Sequence, residues 1–168
     1  IKYCITNEKR VEISRNSGEY VDAIYIPKGL AYMEGKNYSR IRGNRNNFLH
    51  HIDESRLSFI HYNRTMKQSV LNLYDSWKKM SKENGNTFIV DAKIFKDGLE
   101  NKYIEKFVLL YDGKLLGFIS ILIKNDWCYI YSMKSTRDYP NQNTYMINQM
   151  WKYICENHKE VKWINLGG

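Results

Sequence analysis

One strong β-hairpin signal limits the folds that this sequence can adopt. Residues 103–111 and 115–123 are rich in apolar and β-branched side chains, and they flank the dipeptide Asp112-Gly113. Asp-Gly tolerates the positive φ angles of a type I′ turn, so the two segments are predicted to pair as antiparallel strands. A short polar turn then leads into a third strand over residues 127–133. The sequence therefore predicts a three-stranded antiparallel meander whose largely apolar middle strand is covered on both faces.

Helical periodicity is clearest over residues 66–80. Five apolar side chains recur there at spacings of four and three, which places them on one stripe of a helix: Met66, Val70, Leu73, Trp77 and Met80. The other predicted helices cover residues 38–51, residues 91–99 and a segment that begins at an N-cap formed by Asn143 or Thr144.

Short strands are predicted over residues 20–26, 57–62 and 161–166. Together with the meander and the helices, they predict an α+β fold with a mostly antiparallel mixed sheet and helices on both faces. At 168 residues, 43% of them hydrophobic and 26% charged, the chain can build one main core. We expect residues 1–35 to be an N-terminal strand and linker region, a remnant of a preceding domain, and residues 36–168 to be the main domain.

The composition favours an anionic partner and a reducing location. The formal net charge is +8 and the pI is near 9.3, which suits RNA, a phosphate-bearing cofactor or anionic lipid headgroups, although a solvated basic surface explains it equally well. Three cysteines and four histidines lack the spacing of a disulfide framework or a metal site, so no metal is expected and a cytoplasmic location fits best. No apolar run approaches the roughly 18 to 20 residues of a membrane span, and no signal peptide is visible.

A basic segment over residues 30–48 contains a single acidic residue, Glu34. Its four cations of interest are Lys36, Arg40, Arg42 and Arg45. Cations at this density repel one another unless an anion or distant carboxylates neutralise them. We expect the four to form one contiguous electropositive face that binds phosphates along an RNA strand. The alternative is that they pair with acidic residues elsewhere in the domain.

A second polar cluster lies between the meander and the last predicted helix. Its members are Lys134, Arg137, Asn143 and Tyr145. The unpaired backbone amides and the partial positive charge of a helix N-terminus favour an anion or a reacting carbonyl there. We expect a cleft between the end of the strand over residues 127–133 and the start of the strand over residues 161–166. The alternative is a capped helix preceded by an ordinary polar loop.

Several groups of residues recur in an order and spacing found in a known family. They are Tyr25, Leu30, Gly35-Lys36, Tyr38, Arg42, Arg45-Asn46 and Phe48; Leu73 with Trp77; residues 112–118; Asn143-Thr144-Tyr145 with Asn148; and Trp163-Ile164-Asn165. In these places the chain resembles the C-terminal domain of phosphatidylglycerol lysyltransferases, a branch of the GNAT-like acyltransferase fold related to the Fem aminoacyltransferases.

The chain also departs from this family in three places. Asn143-Thr144 stands where the family usually has a glycine before the tyrosine, and Leu166-Gly167-Gly168 stands where acidic residues usually follow the last strand. Residues 137–143 contain no glycine, whereas a CoA-binding GNAT enzyme has a glycine-rich loop there. The last departure counts against acetyl-CoA as the donor.

The resemblance implies a GNAT-like domain over residues 36–168 that moves an aminoacyl or acyl group from a phosphorylated carrier, such as aminoacyl-tRNA, to an amine or hydroxyl acceptor. In this scheme Lys134 binds the carrier, Asn143 orients it and Tyr145 donates a proton to the leaving oxygen. Asp91 is a catalytic acid by analogy with the family. The carrier-binding residues would be Lys36, Arg40, Arg42, Arg45, Arg137 and Asn143.

The same resemblance leaves the partners and two other functions open. Because the domain would lack its final strands, we expect an exposed C-terminal strand edge through which the chain can form an oligomer. No cofactor beyond the donor, which is aminoacyl-tRNA or acyl-CoA, is expected. The alternatives to the carrier-dependent transferase are a noncatalytic RNA- or anion-binding module, or half of a two-domain transferase, and a conventional acyl-CoA N-acyltransferase. Peripheral contact with anionic lipid is a further expectation.

Overall fold

A mixed β-sheet with helices on both faces makes up the described part of the protein. The computed structural model describes residues 4–5, 10–12, 23–83 and 91–166. The strands are β1 (Cys4–Ile5), β2 (Arg10–Glu12), β3 (Ala23–Tyr25), β4 (Leu57–His61), β5 (Ile104–Tyr111), β6 (Lys114–Lys124), β7 (Trp127–Ser135) and β8 (Trp163–Asn165). The α-helices are α1 (Pro27–Tyr32), α2 (Ser39–His50), α3 (Lys67–Glu83), α4 (Asp91–Glu100) and α5 (Gln142–Asn157).

Within these residues the strands form one sheet in the order β1-β2-β3-β8-β7-β6-β5-β4. Neighbouring strands run antiparallel except β7 and β8, which are parallel and are connected by α5. The predicted α+β class, with its mostly antiparallel mixed sheet, is therefore confirmed. The expected exposed C-terminal strand edge is wrong, because β8 lies inside the sheet and pairs with β3 on one side and with β7 on the other.

The hairpin that the sequence predicted is confirmed. Asp112 and Gly113 have φ angles of 49° and 75°, the positive values that a type I′ turn requires, and Tyr111 pairs with Lys114 across the turn. The Asp112 carboxylate also accepts hydrogen bonds from the Arg56 guanidinium, which lies 5.0 Å from the Tyr111 ring centroid. The turn residue thus fixes the chain that enters β4 as well as the hairpin itself.

The two faces of the sheet carry separate hydrophobic clusters. Helices α1, α2 and α5 cover one face, called here the α5 face, where the buried side chains include Phe48, Met150 and Trp151. Helices α3 and α4 cover the other, the α3 face, where Tyr74 and Phe95 stack with their ring centroids 4.4 Å apart. Both faces of β6 are covered, as the meander predicted, because its side chains alternate between the two clusters.

The short helix α1 is held by side chains from elsewhere in the chain. The fully buried Asn148 amide on α5 donates to the carbonyls of Leu30 and Ala31 at 2.9 and 2.8 Å. Arg42 on α2 donates to the carbonyls of Met33 and Gly35 just beyond α1. A helix this short leaves most of its carbonyls without intrahelical partners, so these two side chains satisfy its C-terminal end.

Two boundaries differ from the sequence-based expectation. The N-cap of α5 is Asn141, with φ 60°, so the helix begins at Gln142 and not after Asn143 or Thr144. Residues 23–35, which we assigned to a separate N-terminal region, contribute β3 to the same sheet and Leu30 to the core of the α5 face. The first three residues of the strand predicted over residues 20–26 lie outside the described residues.

We predict that Asn148→Leu destabilises the fold strongly. The substitution leaves the Leu30 and Ala31 carbonyls buried without donors, so the free energy of unfolding should fall by about 2 kcal/mol or more. Urea denaturation measures this, with Asn143→Leu as the control because Asn143 is exposed on the same helix. Equal stability of the two variants would show that the Asn148 hydrogen bonds to Leu30 and Ala31 do not stabilise the fold.

Candidate functional site

Buried polar side chains concentrate at one end of the sheet. Of the six polar or charged residues that are buried in the described part of the chain, Asn148 holds α1, and the other five lie on β6, on β7 or at the start of α5: Ser120, Ser132, Lys134, Ser135 and Gln142. Burial of a polar group is costly unless it is hydrogen-bonded, so each of these side chains needs either a partner or a functional role.

The parallel pairing of β7 with β8 ends close to these residues. It joins Trp127, Cys128 and Tyr129 to β8, whereas β7 continues to Ser135. The described residues end at 166, one residue after β8, so the pairing is described only as far as Tyr129 on β7. The expected cleft between the end of β7 and the start of β8 is wrong, because the start of β8 pairs with the start of β7.

A β-bulge lies where this pairing ends. Ser120 on β6 is opposite Ser132 and Ile121 is opposite Ile130, so Tyr131 is the extra residue. Bulges increase the local twist of a strand and are common beside active sites. Tyr131 fills the space under α4, where a Cβ on Gly98 would come within 2.6 Å of the Tyr131 ring. The glycine therefore lets α4 approach the bulged strand closely.

Lys134 is a buried cation on the α3 face. Its side chain is 8% exposed, and it pairs with Phe118 on the neighbouring strand β6. Its ammonium is 3.7 Å from the Trp77 ring centroid. A cation over an indole face in a desolvated place is held by about 2 kcal/mol or more. The Ser132 hydroxyl, on the same face two residues earlier, is buried and has no hydrogen-bond partner among the described residues. The Ser120 hydroxyl donates to the Ser132 carbonyl at 3.4 Å.

The start of α5 is fixed by Gln142. Its side-chain amide donates to the Leu116 carbonyl at 3.2 Å, and its Oε1 accepts from the Tyr139 amide at 3.3 Å. Asn143 is exposed on the first turn of α5, and Arg137 is exposed in the preceding loop with φ 64°. Gln142, which we did not predict, therefore orders the loop, while Asn143 and Arg137 are exposed to solvent.

Two predicted catalytic residues are not brought together. Tyr145 lies on the α5 face, 6% exposed, with its ring centroid 5.0 Å from that of Phe48. Lys134 lies on the opposite face, so the placement of Tyr145 beside Lys134 at a cleft is wrong. Burial, with a smaller contribution from Glu54, raises the pKa of Tyr145 to about 12. Asp91 begins α4, and its side chain lies outside the described residues.

The four predicted cations of the basic segment do not share one face. Lys36 precedes α2 in a separate 3-10 turn, and Arg40 and Arg42 lie about 200° apart around the α2 axis by helical pitch. Arg42 is half-buried against the end of α1, and Arg45 donates to the Asn46 side chain at 2.9 Å. Lys36 and Arg40 are exposed. The prediction of one contiguous electropositive face is therefore wrong, and Arg42 has a structural role.

Ser120, Ser132 and Trp77 are site residues that the sequence analysis did not select. Trp77 belongs to the apolar stripe of α3, where a core role was the simplest interpretation. The spacing of Ser132 and Lys134 could have indicated the pair, because two polar residues two positions apart on a strand share a face. Only the structure shows that this face is the buried one.

The described residues form a mixed α+β fold in which α5 connects the parallel strands β7 and β8. No protein-family model matches the sequence, and no curated protein sequence matches it. Among solved structures, the fold matches a conserved protein of unknown function from Bacteroides thetaiotaomicron over 96% of this chain and 54% of the other, with 16% identity and a TM-score of 0.75.

Two further matches carry a functional name. One is the C-terminal domain of a protein described as a lysylphosphatidylglycerol synthetase from Agrobacterium fabrum, with 15% identity and a TM-score of 0.59. The other is L-PGS from Bacillus licheniformis, with 16% identity and a TM-score of 0.59. Each match covers 87% of this chain and 45% of the other. The predicted resemblance to this group is thus confirmed for the fold, and the chain spans about half the length of each of these three structures.

Among the described residues, none of the helices combines the length and the apolar character needed to cross a bilayer.

We predict that the buried Tyr145 makes the fold sensitive to alkali. Its pKa is about 12 in the folded protein against 10.0 for an ordinary tyrosine, so the folded state keeps this proton after the unfolded chain has lost it. The stability that depends on it is complete below pH 10 and falls as the pH rises towards 12. The free energy of unfolding of Tyr145→Phe should therefore decline less steeply above pH 10 than that of the wild type.

Urea denaturation at a series of pH values measures this difference. Tyr103→Phe is the control, because the Tyr103 side chain is 73% exposed and its removal should leave the wild-type slope unchanged. Identical pH slopes for Tyr145→Phe and the wild type would show that the hydroxyl is solvated.

Proposed function

We propose that the protein is a transferase that moves an aminoacyl or acyl group from a phosphorylated carrier to an amine or hydroxyl acceptor. The observation that supports this most is the buried Lys134 ammonium, held over Trp77, on the same strand face as the buried Ser132 hydroxyl. A buried cation and a buried hydroxyl donor on one face of a strand form an arrangement suited to an ester carbonyl. The fold shared with the lysylphosphatidylglycerol synthetase domains supports the same chemistry by analogy.

The reaction needs positioning and charge stabilisation more than covalent participation of the protein. The acceptor nitrogen or oxygen attacks the ester carbonyl carbon, the bond from that carbon to the carrier oxygen breaks, and the proton lost by the acceptor passes to the carrier oxygen. Negative charge develops on the carbonyl oxygen in the transition state. Lys134 would stabilise that charge and Ser132 would donate a hydrogen bond to it, in a place where low water content strengthens both interactions.

Aminoacyl-tRNA is the carrier that suits the exposed cations. Lys36 and Arg40 are available to phosphates on the surface of the α2 region, and Arg137 and Asn143 flank the start of α5. In this proposal Arg137 and Asn143 hold the carrier near the end of β7, while Lys36 and Arg40 contact phosphates further along the RNA. Asp91 remains a predicted acid.

We predict that Lys134→Met lowers the rate of transfer by about 100-fold or more, because the charge that stabilises the transition state is lost. Circular dichroism checks that the variant keeps the fold, so that the loss of transfer reports the lost charge. The assay offers labelled aminoacyl-tRNA and labelled acetyl-CoA separately and follows the label. Lys124→Met, at the exposed end of β6, is the control. Full activity of Lys134→Met would reject this site.

A second candidate is supported by the exposed cations Lys36 and Arg40. In this alternative the domain is a noncatalytic module that binds RNA or another anion. Binding of labelled aminoacyl-tRNA without transfer would favour this candidate.

We predict that substitution of Arg40 affects tRNA binding, whereas substitution of Arg42 affects stability. Arg40 is exposed, so Arg40→Gln should weaken tRNA binding and reduce the slope of log K against log salt by about one unit. Arg42 donates to the Met33 and Gly35 carbonyls, so Arg42→Gln should instead lower the free energy of unfolding by about 1 to 2 kcal/mol. Fluorescence anisotropy at several salt concentrations and urea denaturation separate the two effects. A salt-independent affinity would contradict the phosphate contacts.

A further inference from the structure

A basic pocket lies where the start of α3 meets the end of α4, and the proposed transferase site does not use it. Its volume is about 470 Å³, within the usual range for small-molecule pockets. Neither Lys134 nor Trp77 is among the residues that line it: Tyr62, Asn63, Arg64, Lys67, Leu99, Glu100, Lys102 and Lys106. Four of these eight residues are cations and one is an acid.

The single carboxylate of the pocket is already neutralised. The Lys67 ammonium lies 2.6 Å from a Glu100 carboxylate oxygen, and this pairing lowers the pKa of Glu100 and raises that of Lys67. Arg64 and Lys102 are exposed, and neither makes an ion pair within the described residues. The walls therefore carry three positive charges in excess of the negative charge.

Lys106 is the cation that the protein holds most firmly in the pocket. Its ammonium donates to the carbonyls of Asn101 and Ile104 at 2.6 and 2.9 Å, so it is fixed without any carboxylate as hydrogen-bond partner. Burial lowers its pKa below the ordinary lysine value. A partly desolvated cation held by neutral acceptors gains from an added anion, because the anion supplies the charge compensation that the carbonyls lack.

A side-chain donor and a helix N-terminus in the same wall also favour a negatively charged ligand. Asn63 precedes the turn into α3, and its Oδ1 accepts the Thr65 amide at 3.0 Å, which leaves the side-chain NH₂ group available as a donor. The 17-residue helix α3 begins at Lys67, so its N-terminal partial positive charge adds to that of the side chains.

We propose that this pocket binds the phosphate or pyrophosphate group of a small molecule. The excess positive charge suits a multiply charged anion, and Arg64 supplies the planar donor pair that phosphate oxygens favour. The assignment does not depend on the transferase, because it uses different residues at a different place on the α3 face.

Calorimetric titration of pyrophosphate into the full chain at low ionic strength tests this proposal. The wild type should bind one pyrophosphate per chain with saturation. The double variant Arg64→Gln/Lys102→Gln should bind about tenfold or more weakly, because it loses charge-assisted hydrogen bonds while leaving the Lys67–Glu100 pair intact. The matched control is Lys93→Gln/Lys96→Gln, which removes two exposed lysines of α4 that do not line the pocket. It should stay within about twofold of the wild type.

Three results would overturn the proposal. The first is the absence of saturable pyrophosphate binding by the wild type. The second is an equal loss in both double variants, which would show a general charge effect. The third comes from a parallel titration with a short RNA: if the RNA binds and the Arg64→Gln/Lys102→Gln variant loses that binding while pyrophosphate does not bind, the pocket is part of a nucleic-acid surface.

Discussion

The arrangement of the molecule depends on the short parallel pairing of β7 with β8. A parallel pair needs a crossover connection, and α5 supplies it by packing its apolar side on the α5 face. The described pairing joins residues 127–129 to residues 163–165. The bulge at Tyr131 adds twist at that point. The buried polar residues Ser132 and Lys134 follow directly.

Side chains that bond to the backbone hold helix α5 in place. Gln142 ties the start of α5 to β6, and Asn148, six residues later, ties the same helix to α1. Both amides are buried, so each hydrogen bond is costly to lose. The first half of helix α5 is thereby fixed on one face of the sheet. The Lys134 site can then form on the other face, supported by Trp77 of α3.

Local features of the sequence were sufficient for most of the elements. The Asp112-Gly113 turn and the apolar stripe of α3 depend on neighbouring residues, and both are confirmed. Features that depend on distant parts of the chain were not predictable in this way. The insertion of β8 between β3 and β7 requires knowledge of the whole sheet. The separation of Tyr145 from Lys134 follows from which face each element covers, and that is set by tertiary packing.

The central claim is that the reacting carbonyl lies on the α3 face, beside the end of β7. The most direct measurement is a crystal structure with an amide-linked, non-hydrolysable analogue of an aminoacylated 3′-terminal adenosine. We expect the carbonyl oxygen of the analogue within about 3.2 Å of the Lys134 Nζ or the Ser132 Oγ. An analogue bound on the α5 face near Tyr145, or along α2 without contact to β7, would contradict the account.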